Sequence, residues 1–194
     1  MAHGAKAIPT KWVFKIKSDG HGVVARYKAR LVACGYRQKK GRDYDLTFAP
    51  VAHAASIRML LALAVRHGLL LCQFDVKTAF LYGELPENQT VYLQPSQGVE
   101  VPKHQVLCLL KTMYGLKQAP LLWNRHLHNT LTTLHFKRSI HDPCVYSLRN
   151  SDGFVFLAIV VDDILASSSS TAIMHKFENN LKTPSLHWAF QKGN

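Results

Sequence analysis

The sequence lacks the features that mark secreted and membrane proteins. It has only four cysteines, none in a C-x-x-C pair, so a disulfide framework and a structural zinc site are both disfavoured. No apolar run reaches about 18 residues and the N-terminus has no apolar leader, so neither a membrane span nor a signal peptide is predicted. The eleven histidines form no H-E-x-x-H pattern. We therefore expect an intracellular protein with reduced, mostly buried thiols and no membrane partner.

Acidic residues are also scarce. The 194 residues contain 12 Asp and Glu against 24 Lys and Arg, a net charge of +12. Residues 1–50 alone carry eleven Lys and Arg against three Asp and Glu. A basic region of this size indicates a polyanionic partner, nucleic acid before membrane, although a merely soluble basic protein is the alternative. The 47% hydrophobic content is globular and suits one large or two small domains.

The longest apolar stretch is Phe154–Ala166, FVFLAIVVDDILA, and it contains two adjacent carboxylates. A continuous run rich in Val, Ile and Phe predicts strands buried on both faces, with Asp162 and Asp163 between them. Buried carboxylates are costly unless a turn's backbone N–H groups or a metal cation satisfy them. An Asp-Asp β-turn is therefore the alternative to a metal site.

A third carboxylate has a similar setting. Asp75 stands near the end of Leu69–Val76, LLLCQFDV, a second strand of the buried type. Neighbouring strands would bring Asp75 close to Asp162 and Asp163, and clustered carboxylates ionise together only with cations between them. Mg²⁺ prefers such oxygen ligands, and two ions about 3.5–4 Å apart suit nucleotidyl transfer.

The remaining pattern predicts an α+β fold. Lys11–Lys17 and Val23–Ala33 flank a turn signal and predict a cationic β-hairpin, which is either a solvated edge or a clamp for phosphates. Ser56 is predicted to cap a core helix, Ile57–His67, that ends at Gly68. The later predicted elements are a short helix Lys77–Leu81, strands Val91–Leu93 and Val106–Leu110, a helix from Pro120 to His135, a strand Cys144–Leu148, a turn Arg149–Gly153 and a helix Thr171–Leu181.

Six groups of motifs occur in one order along the chain. They are KWVFKIKSDG with RYKARLVACGY, DYDLTFAPV, QFDVKTAFLYGEL with VYLQP, LKTMYGLKQAPLLW, DPCVY, and VVDDIL. With the helix that follows, they span Lys11 to Phe177. In this set and order, the sequence resembles the reverse transcriptase domain of copia-type (Pseudoviridae) long-terminal-repeat retrotransposons.

The resemblance implies a fold, an activity and partners. It implies the fingers and palm of a right-hand polymerase in residues 11–181, between a tail at 1–10 and a divergent tail at 182–194. The implied activity is RNA-directed DNA synthesis from dNTPs on an RNA or DNA template with a primer. The implied cofactor is Mg²⁺, with Mn²⁺ as the alternative ion. The parent element would occupy a cytoplasmic particle and the nucleus.

The resemblance also implies roles for individual residues. It assigns the metal site to Asp75, Val76, Asp162 and Asp163, of which the three aspartates are catalytic. It assigns nucleotide binding to Lys28, Arg30, Phe80, Gly115, Lys117 and Gln118. It assigns primer contact to Val160 and Val161. In this family the aromatic ring at the position of Phe80 blocks a ribose 2′-hydroxyl, and the hairpin cations meet the incoming triphosphate.

Two departures from the family keep a second interpretation open. Val160 stands where the family box has a tyrosine that touches the primer end. After Phe177 the family's primer-grip motif does not follow, and Ala189-Phe190-Gln191 does not supply it. We expect the thumb, the connection, RNase H and integrase to be absent from this chain. The alternative to an active polymerase is therefore a catalytically inactive, truncated remnant that keeps the fold and nucleic-acid binding.

Overall fold

A computed structural model describes residues 6–181 and the backbone of 189–192. The predicted tails at 1–10 and 182–194 therefore lie partly outside the described residues. The chain forms two compact units. Unit 1 contains Met1–Phe48 and Phe80–Trp123, and unit 2 contains Ala49–Ala79 and Asn124–Asn194.

The fold mixes helices with antiparallel sheets, which confirms the mixed α and β class. In chain order the elements are β1 (Thr10–Ser18), β2 (Val24–Ala33), α1 (Ala54–His67), β3 (Leu70–Lys77), β4 (Tyr92–Leu93), β5 (Leu107–Cys108), α2 (Ala119–Thr133), β6 (Lys137–Arg138), β7 (Val145–Asn150), β8 (Gly153–Val160), β9 (Asp163–Ser168), α3 (Thr171–Leu181) and β10 (Ala189–Lys192). Short 3-10 helices cover Gly35–Arg37 and Ala79–Leu81. Among the described residues, no helix is long and apolar enough to cross a membrane.

Unit 1 is built on two small hairpins. β1 pairs with β2, and β4 pairs with β5. Its core gathers Ile8, Ala33, Leu93, Met113 and Leu116, all less than a tenth exposed. The predicted cationic hairpin is confirmed, and the carboxylate of Asp19 closes its turn by accepting the backbone N–H groups of residues 21 and 23.

Unit 2 is a six-stranded antiparallel sheet with helices on both faces. The strand order is β10-β3-β9-β8-β7-β6. Phe177 of α3 packs edge-on against Phe74 of β3, with 5.7 Å between ring centroids. Side chains alternate along a strand, so the residues next to Phe74 in β3 point to the opposite face. α1 contacts β8 and β9 on that opposite face.

Some boundaries and burial predictions were wrong. α1 begins at Ala54, with His53 at its N-cap, so Ser56 lies in the first turn and is not the cap. α1 is also not a core helix: only Leu60 and Ala64 are buried, because one side of the helix packs on the sheet. Gly68 does end α1, in the left-handed conformation with φ of 60°.

β3 is not buried on both faces. Phe74 and Val76 are buried beneath α3, whereas Leu71 and Asp75 on the other face are exposed. β8, at the centre of the sheet, has four buried residues, Val155 and Leu157–Ile159, and four partly buried ones, so the predicted burial holds for only half of the strand. α3 has the predicted bounds, whereas β6 and β10 were not predicted. All four cysteines are free, but Cys108 is exposed and only two are buried.

Candidate functional site

The hairpin joining β8 and β9 has a strained two-residue loop. Val160 and Asp163 are paired at the ends of the strands, which leaves Val161 and Asp162 as the loop. Val161 has a positive φ of 61°, a conformation that is a genuine outlier for a β-branched residue. Such conformations cost roughly 1–3 kcal/mol and persist where the surrounding structure holds them, often at functional sites. Here the Val76 N–H donates to the Asp162 carbonyl over 2.9 Å and ties the loop to β3.

Two of the predicted aspartates face each other across neighbouring strands. Asp75 of β3 is the register partner of Asp163 of β9, so both side chains leave the same face of the sheet. Directly opposite Cβ atoms lie about 4.5–5.5 Å apart. Gln73 Nε2 donates to Asp163 Oδ1 over 3.1 Å. Like charges placed opposite each other repel, so a cation between the two carboxylates would be favourable.

These carboxylates are less buried than the apolar sequence run suggested. Asp75 is exposed and Asp163 is half-buried, because they lie at the end of the strands on the face that α3 does not cover. Val76 is buried and reaches the loop through its backbone. Within residues 6–181, no group of three or more His, Cys, Asp and Glu side chains is arranged to hold a metal ion. The metal role of all four residues therefore stays a prediction.

The predicted nucleotide-binding residues all lie in unit 1. Gln118 is almost completely buried at the start of α2. Gln38 Nε2 donates to Gln118 Oε1 over 2.8 Å, and Gln118 Nε2 donates to the Asp43 carbonyl over 2.9 Å. Gln38 Oε1 accepts the Lys117 backbone N–H over 2.7 Å. This amide network fixes the loop of residues 35–45 against the first turn of α2.

Gly115 has a structural reason to be glycine. Its φ is +91°, and a Cβ there would collide with the carbonyl oxygen of Ala33. The Ala33 N–H donates to the Tyr114 carbonyl over 2.8 Å, which fixes this close approach of two backbone segments. A side chain at residue 115 would therefore separate the loop from the end of β2.

Three other predicted residues meet aromatic rings in unit 1. The Arg30 guanidinium lies 5.0 Å from the Tyr114 ring centroid, and Phe80 packs edge-on against the same ring at 5.4 Å. Lys117 Nζ lies 4.9 Å from the Tyr44 ring and 3.1 Å from its hydroxyl oxygen. The cations are therefore positioned by cation–π contacts.

One face of the β1–β2 hairpin is cationic. The register places Lys15 opposite Lys28 and Lys17 opposite Arg26. By strand alternation, the cations on this face are Lys11, Lys15, Lys17, Arg26, Lys28 and Arg30. Like charges directly opposite each other are destabilising, and a bound polyanion would relieve the repulsion. The other face is apolar and exposed, with Phe14 and Tyr27 each 75% accessible.

Sequence reasoning missed Gln38, Tyr44 and Tyr114 as parts of this arrangement. Gln38 contacts Gln118 across 80 positions, and Lys117 contacts Tyr44 across 73. A polar loop has no hydrophobic periodicity from which side-chain partners so distant in sequence could be predicted. The only available signal was that Tyr44 and Tyr114 lie within motifs that carry the resemblance.

Comparison with known proteins gives related matches over most of the chain. The sequence profile described as reverse transcriptase (RNA-dependent DNA polymerase) matches residues 1–187. The chain is 42% identical over 181 residues to the Retrovirus-related Pol polyprotein from transposon TNT 1-94 of Nicotiana tabacum, which covers 92% of this chain and 14% of that polyprotein. It is 39% identical over 173 residues to the Retrovirus-related Pol polyprotein from transposon RE1 of Arabidopsis thaliana, covering 88% and 12% respectively.

One of the matching solved structures is a telomerase. It is the apo telomerase from Candida tropicalis truncated from the C-terminal domain, at 10% identity and a TM-score of 0.43, covering 100% of this chain and 52% of that chain. The family assignment comes from the sequence matches, which extend over both units. The chain belongs to the reverse transcriptase (RNA-dependent DNA polymerase) family, and its relatives are copia-type Pol polyproteins of plant transposons.

Proposed function

We propose that the chain performs RNA-directed DNA synthesis, adding dNTPs to the 3′-end of a primer by two-metal nucleotidyl transfer. The observation that carries the proposal is the cross-strand pair of Asp75 and Asp163 beside the strained Val161–Asp162 loop. A preset pair of carboxylates beside a strained loop is typical of a catalytic site and unusual in an ordinary hairpin.

The carboxylate oxygens of this pair suit Mg²⁺, which proteins hold with one or two carboxylates plus substrate phosphates. Asp75, Asp162 and Asp163, with Val76, would hold Mg²⁺ or Mn²⁺. A bound ion supplies activation of the primer hydroxyl and charge stabilisation of the leaving pyrophosphate. The pairing of β3 with β9 fixes the two carboxylates next to each other. The hydrogen bond from the Val76 N–H to the Asp162 carbonyl fixes the loop, which would present Val160 and Val161 to the primer.

The residues of unit 1 would bind the nucleotide and the template. Lys28 and Arg30 provide cations for the triphosphate, and Phe80 provides the ring that rejects a ribose. The contacts of Arg30 and Phe80 with the same Tyr114 ring support a shared site for these two residues. Because Gln118 is buried and bonded to Gln38, we assign Gln118 the positioning of Gly115 and Lys117. In this proposal β1 and β2 belong to the fingers, and the sheet of unit 2 belongs to the palm.

A second candidate function is nucleic-acid binding without synthesis. Val160 replaces the tyrosine expected at the primer end, while the six cations on one hairpin face remain. A remnant that had lost catalysis would keep this electrostatic surface. It would bind a primer–template in a salt-sensitive way.

Primer extension on an RNA template with Mg²⁺ and dNTPs tests the proposal. We expect extension by the parent chain and a loss of roughly 100-fold or more in the Asp162→Asn, Asp163→Asn double variant. Asp152→Asn, in an exposed turn, is the matched control and should retain activity. Equal extension by the double variant would overturn the carboxylate assignment. Salt-sensitive binding without extension by the parent would favour the second candidate.

A further inference from the structure

Tyr114 contacts two residues of the predicted nucleotide site, although the sequence assigned no role to Tyr114 itself. It lies in the loop before α2, next to Gly115. The Arg30 guanidinium lies 5.0 Å from the centroid of the Tyr114 ring. The Phe80 ring meets the same ring edge-on at 5.4 Å, with 74° between the ring planes. One tyrosine therefore contacts both the arginine proposed to bind the triphosphate and the ring proposed to reject a ribose.

The loop that carries Tyr114 is bonded to the segments that carry both partners. The Ala33 N–H, in the same strand as Arg30, donates to the Tyr114 carbonyl over 2.8 Å. Thr112 Oγ1 donates to the Phe80 carbonyl over 2.6 Å. Thr112 is buried, and Phe80 packs against the apolar core of unit 1. These bonds fix the place of the tyrosine ring relative to both partners before any ligand binds.

Arg30 is held by a ring and not by a carboxylate. Within residues 6–181 no aspartate or glutamate forms an ion pair with Arg30, whereas Arg42 is paired with Asp43 at 2.8 Å. A cation–π contact restricts where the guanidinium lies without neutralising its charge. Arg30 therefore keeps the positive charge and the fork of N–H donors that suit bidentate contact with phosphate oxygens.

Phe80 also depends on being held in place. A ring excludes a 2′-hydroxyl by steric contact only if the ring cannot move aside. The core of unit 1 confines only part of the Phe80 ring, since this residue is half-buried. The edge-on contact with Tyr114 lies within the 4.5–7 Å range of favourable aromatic pairs and restricts the ring further.

We propose that Tyr114 is a positioning residue that also determines sugar specificity, because its ring holds Arg30 for the triphosphate and Phe80 for rejection of the ribose. The inference rests on the proposed function, which gives Arg30 and Phe80 these roles. Triphosphate affinity and sugar selection then depend on one shared side chain. Unit 1 offers a matched comparison, since the Arg37 guanidinium lies 5.8 Å from the Tyr36 ring and neither residue is assigned to the nucleotide.

Calorimetric titration of dATP and ATP tests this role without catalysis, on the chain bound to a dideoxy-terminated primer and an RNA template whose next base is uracil. We expect Tyr114→Leu to weaken dATP binding about fivefold, because a cation–π contact gives roughly a 2- to 30-fold difference in affinity. The same variant should lower the preference for dATP over ATP about threefold, since Phe80 loses an aromatic contact. Tyr114→Phe keeps the ring and should stay within about twofold of the parent in both quantities.

Two double-mutant cycles separate positioning from general packing. In an Arg30→Gln background, Tyr114→Leu should weaken dATP binding no further. In a Phe80→Ala background, it should not change the preference for dATP further. Additive effects in either cycle would overturn the proposal, because a tyrosine that supports only the fold acts independently of these partners.

Tyr36→Leu is the matched control, because it makes the same substitution and removes a cation–π contact with a different arginine. It should leave dATP affinity and the preference over ATP unchanged. An equal loss in Tyr36→Leu would contradict the proposal, and thermal unfolding of each variant would verify folding.

The role of Tyr114 and the polymerase proposal fail separately. Extension and dATP binding at the parent level in Tyr114→Leu would reject the role of Tyr114 and leave the polymerase intact. Selective dATP binding by a parent chain that extends no primer would reject synthesis, while coupling in the two cycles would still support the role of Tyr114. A parent chain that binds no dATP would overturn that role directly.

Discussion

At the scale of single residues, Val161 holds the least favourable backbone conformation in the candidate site. Its φ of 61° is held by the pairing of Val160 with Asp163 and by the bond from Val76 to Asp162. Glycine adopts this conformation without penalty. Because valine occupies the position, the loop stores strain that a glycine would release.

We therefore expect Val161→Gly to stabilise the protein by about 1 kcal/mol. The change removes roughly 1–3 kcal/mol of strain and adds roughly 0.5–1 kcal/mol of chain entropy to the unfolded state. Urea unfolding of parent and variant measures the difference. Val160→Gly is the control, because this ladder position has no strain to release and the change should be destabilising. Equal destabilisation by both glycines would show that Val161 is not strained.

The sequence identified the site's carboxylates but not their separate positions. Asp75 and Asp163 were found because charged residues interrupt or end apolar runs. In the sequence Asp162 and Asp163 are simply adjacent. In the structure Asp162 lies in the loop, whereas Asp163 is the first residue of β9 and pairs with Asp75 of β3. The strain at Val161 has no sequence signal, since it arises from the two-residue length of the loop.

At the scale of elements, Asp142 takes the place of a local cap for α1. The N-cap residue, His53, makes no side-chain capping bond. Asp142 instead accepts the His53 N–H and the Ser56 hydroxyl through one oxygen, and the Cys144 N–H through the other over 2.9 Å. Burial alone would raise the pKa of Asp142, but these bonds and the nearby His53 outweigh it and lower the pKa below 3.8.

This arrangement predicts a pH-dependent stability. We expect Asp142→Asn to cost about 1–3 kcal/mol at pH 7, because an amide keeps only one acceptor oxygen. The folded pKa is lowered, so the stabilisation is fully present above about pH 4, the unfolded value, and is lost as the pH falls through the folded pKa. The stability difference between parent and variant should therefore shrink in acid.

Denaturant unfolding at several pH values between neutral and strongly acidic measures that difference. His53→Ala is the control, since it keeps the backbone N–H that Asp142 accepts. It should retain most of the stability at neutral pH. A difference between parent and Asp142→Asn that stays constant with pH would refute the role of the ionised carboxylate.

The long elements were predicted, and so were the short strands β4 and β5, but β6 was not. The hairpin of β1 and β2 and the helix α3 have clear periodicity and turn or cap residues, and both were confirmed. β6 has only two residues, too few for a periodic pattern. It forms because the edge of β7 offers unpaired backbone groups. The exposure of one side of α1 could not be predicted from the sequence either, because the helix is apolar on most of its faces.

At the scale of the whole molecule, the positive charge is concentrated in unit 1. This unit holds 14 Lys and Arg against 6 Asp and Glu, whereas unit 2 holds 10 against 6. The basic character was evident from the sequence. The division into units was not, because each unit is assembled from two separated segments, and the fall in basic content near residue 50 marks one boundary without showing which segments join.

The cationic face of the hairpin predicts how salt affects nucleic-acid binding. The Lys15→Gln, Lys17→Gln variant should bind a labelled DNA duplex more weakly. It should also reduce the slope of log affinity against log salt by about 1.8, since each phosphate contact contributes about 0.9. Fluorescence anisotropy at several salt concentrations measures the slope. Arg58→Gln, Arg66→Gln removes the same charge from exposed positions on α1 and should leave the slope nearly unchanged. An equal reduction in both variants would mean that net charge, rather than this face, governs binding.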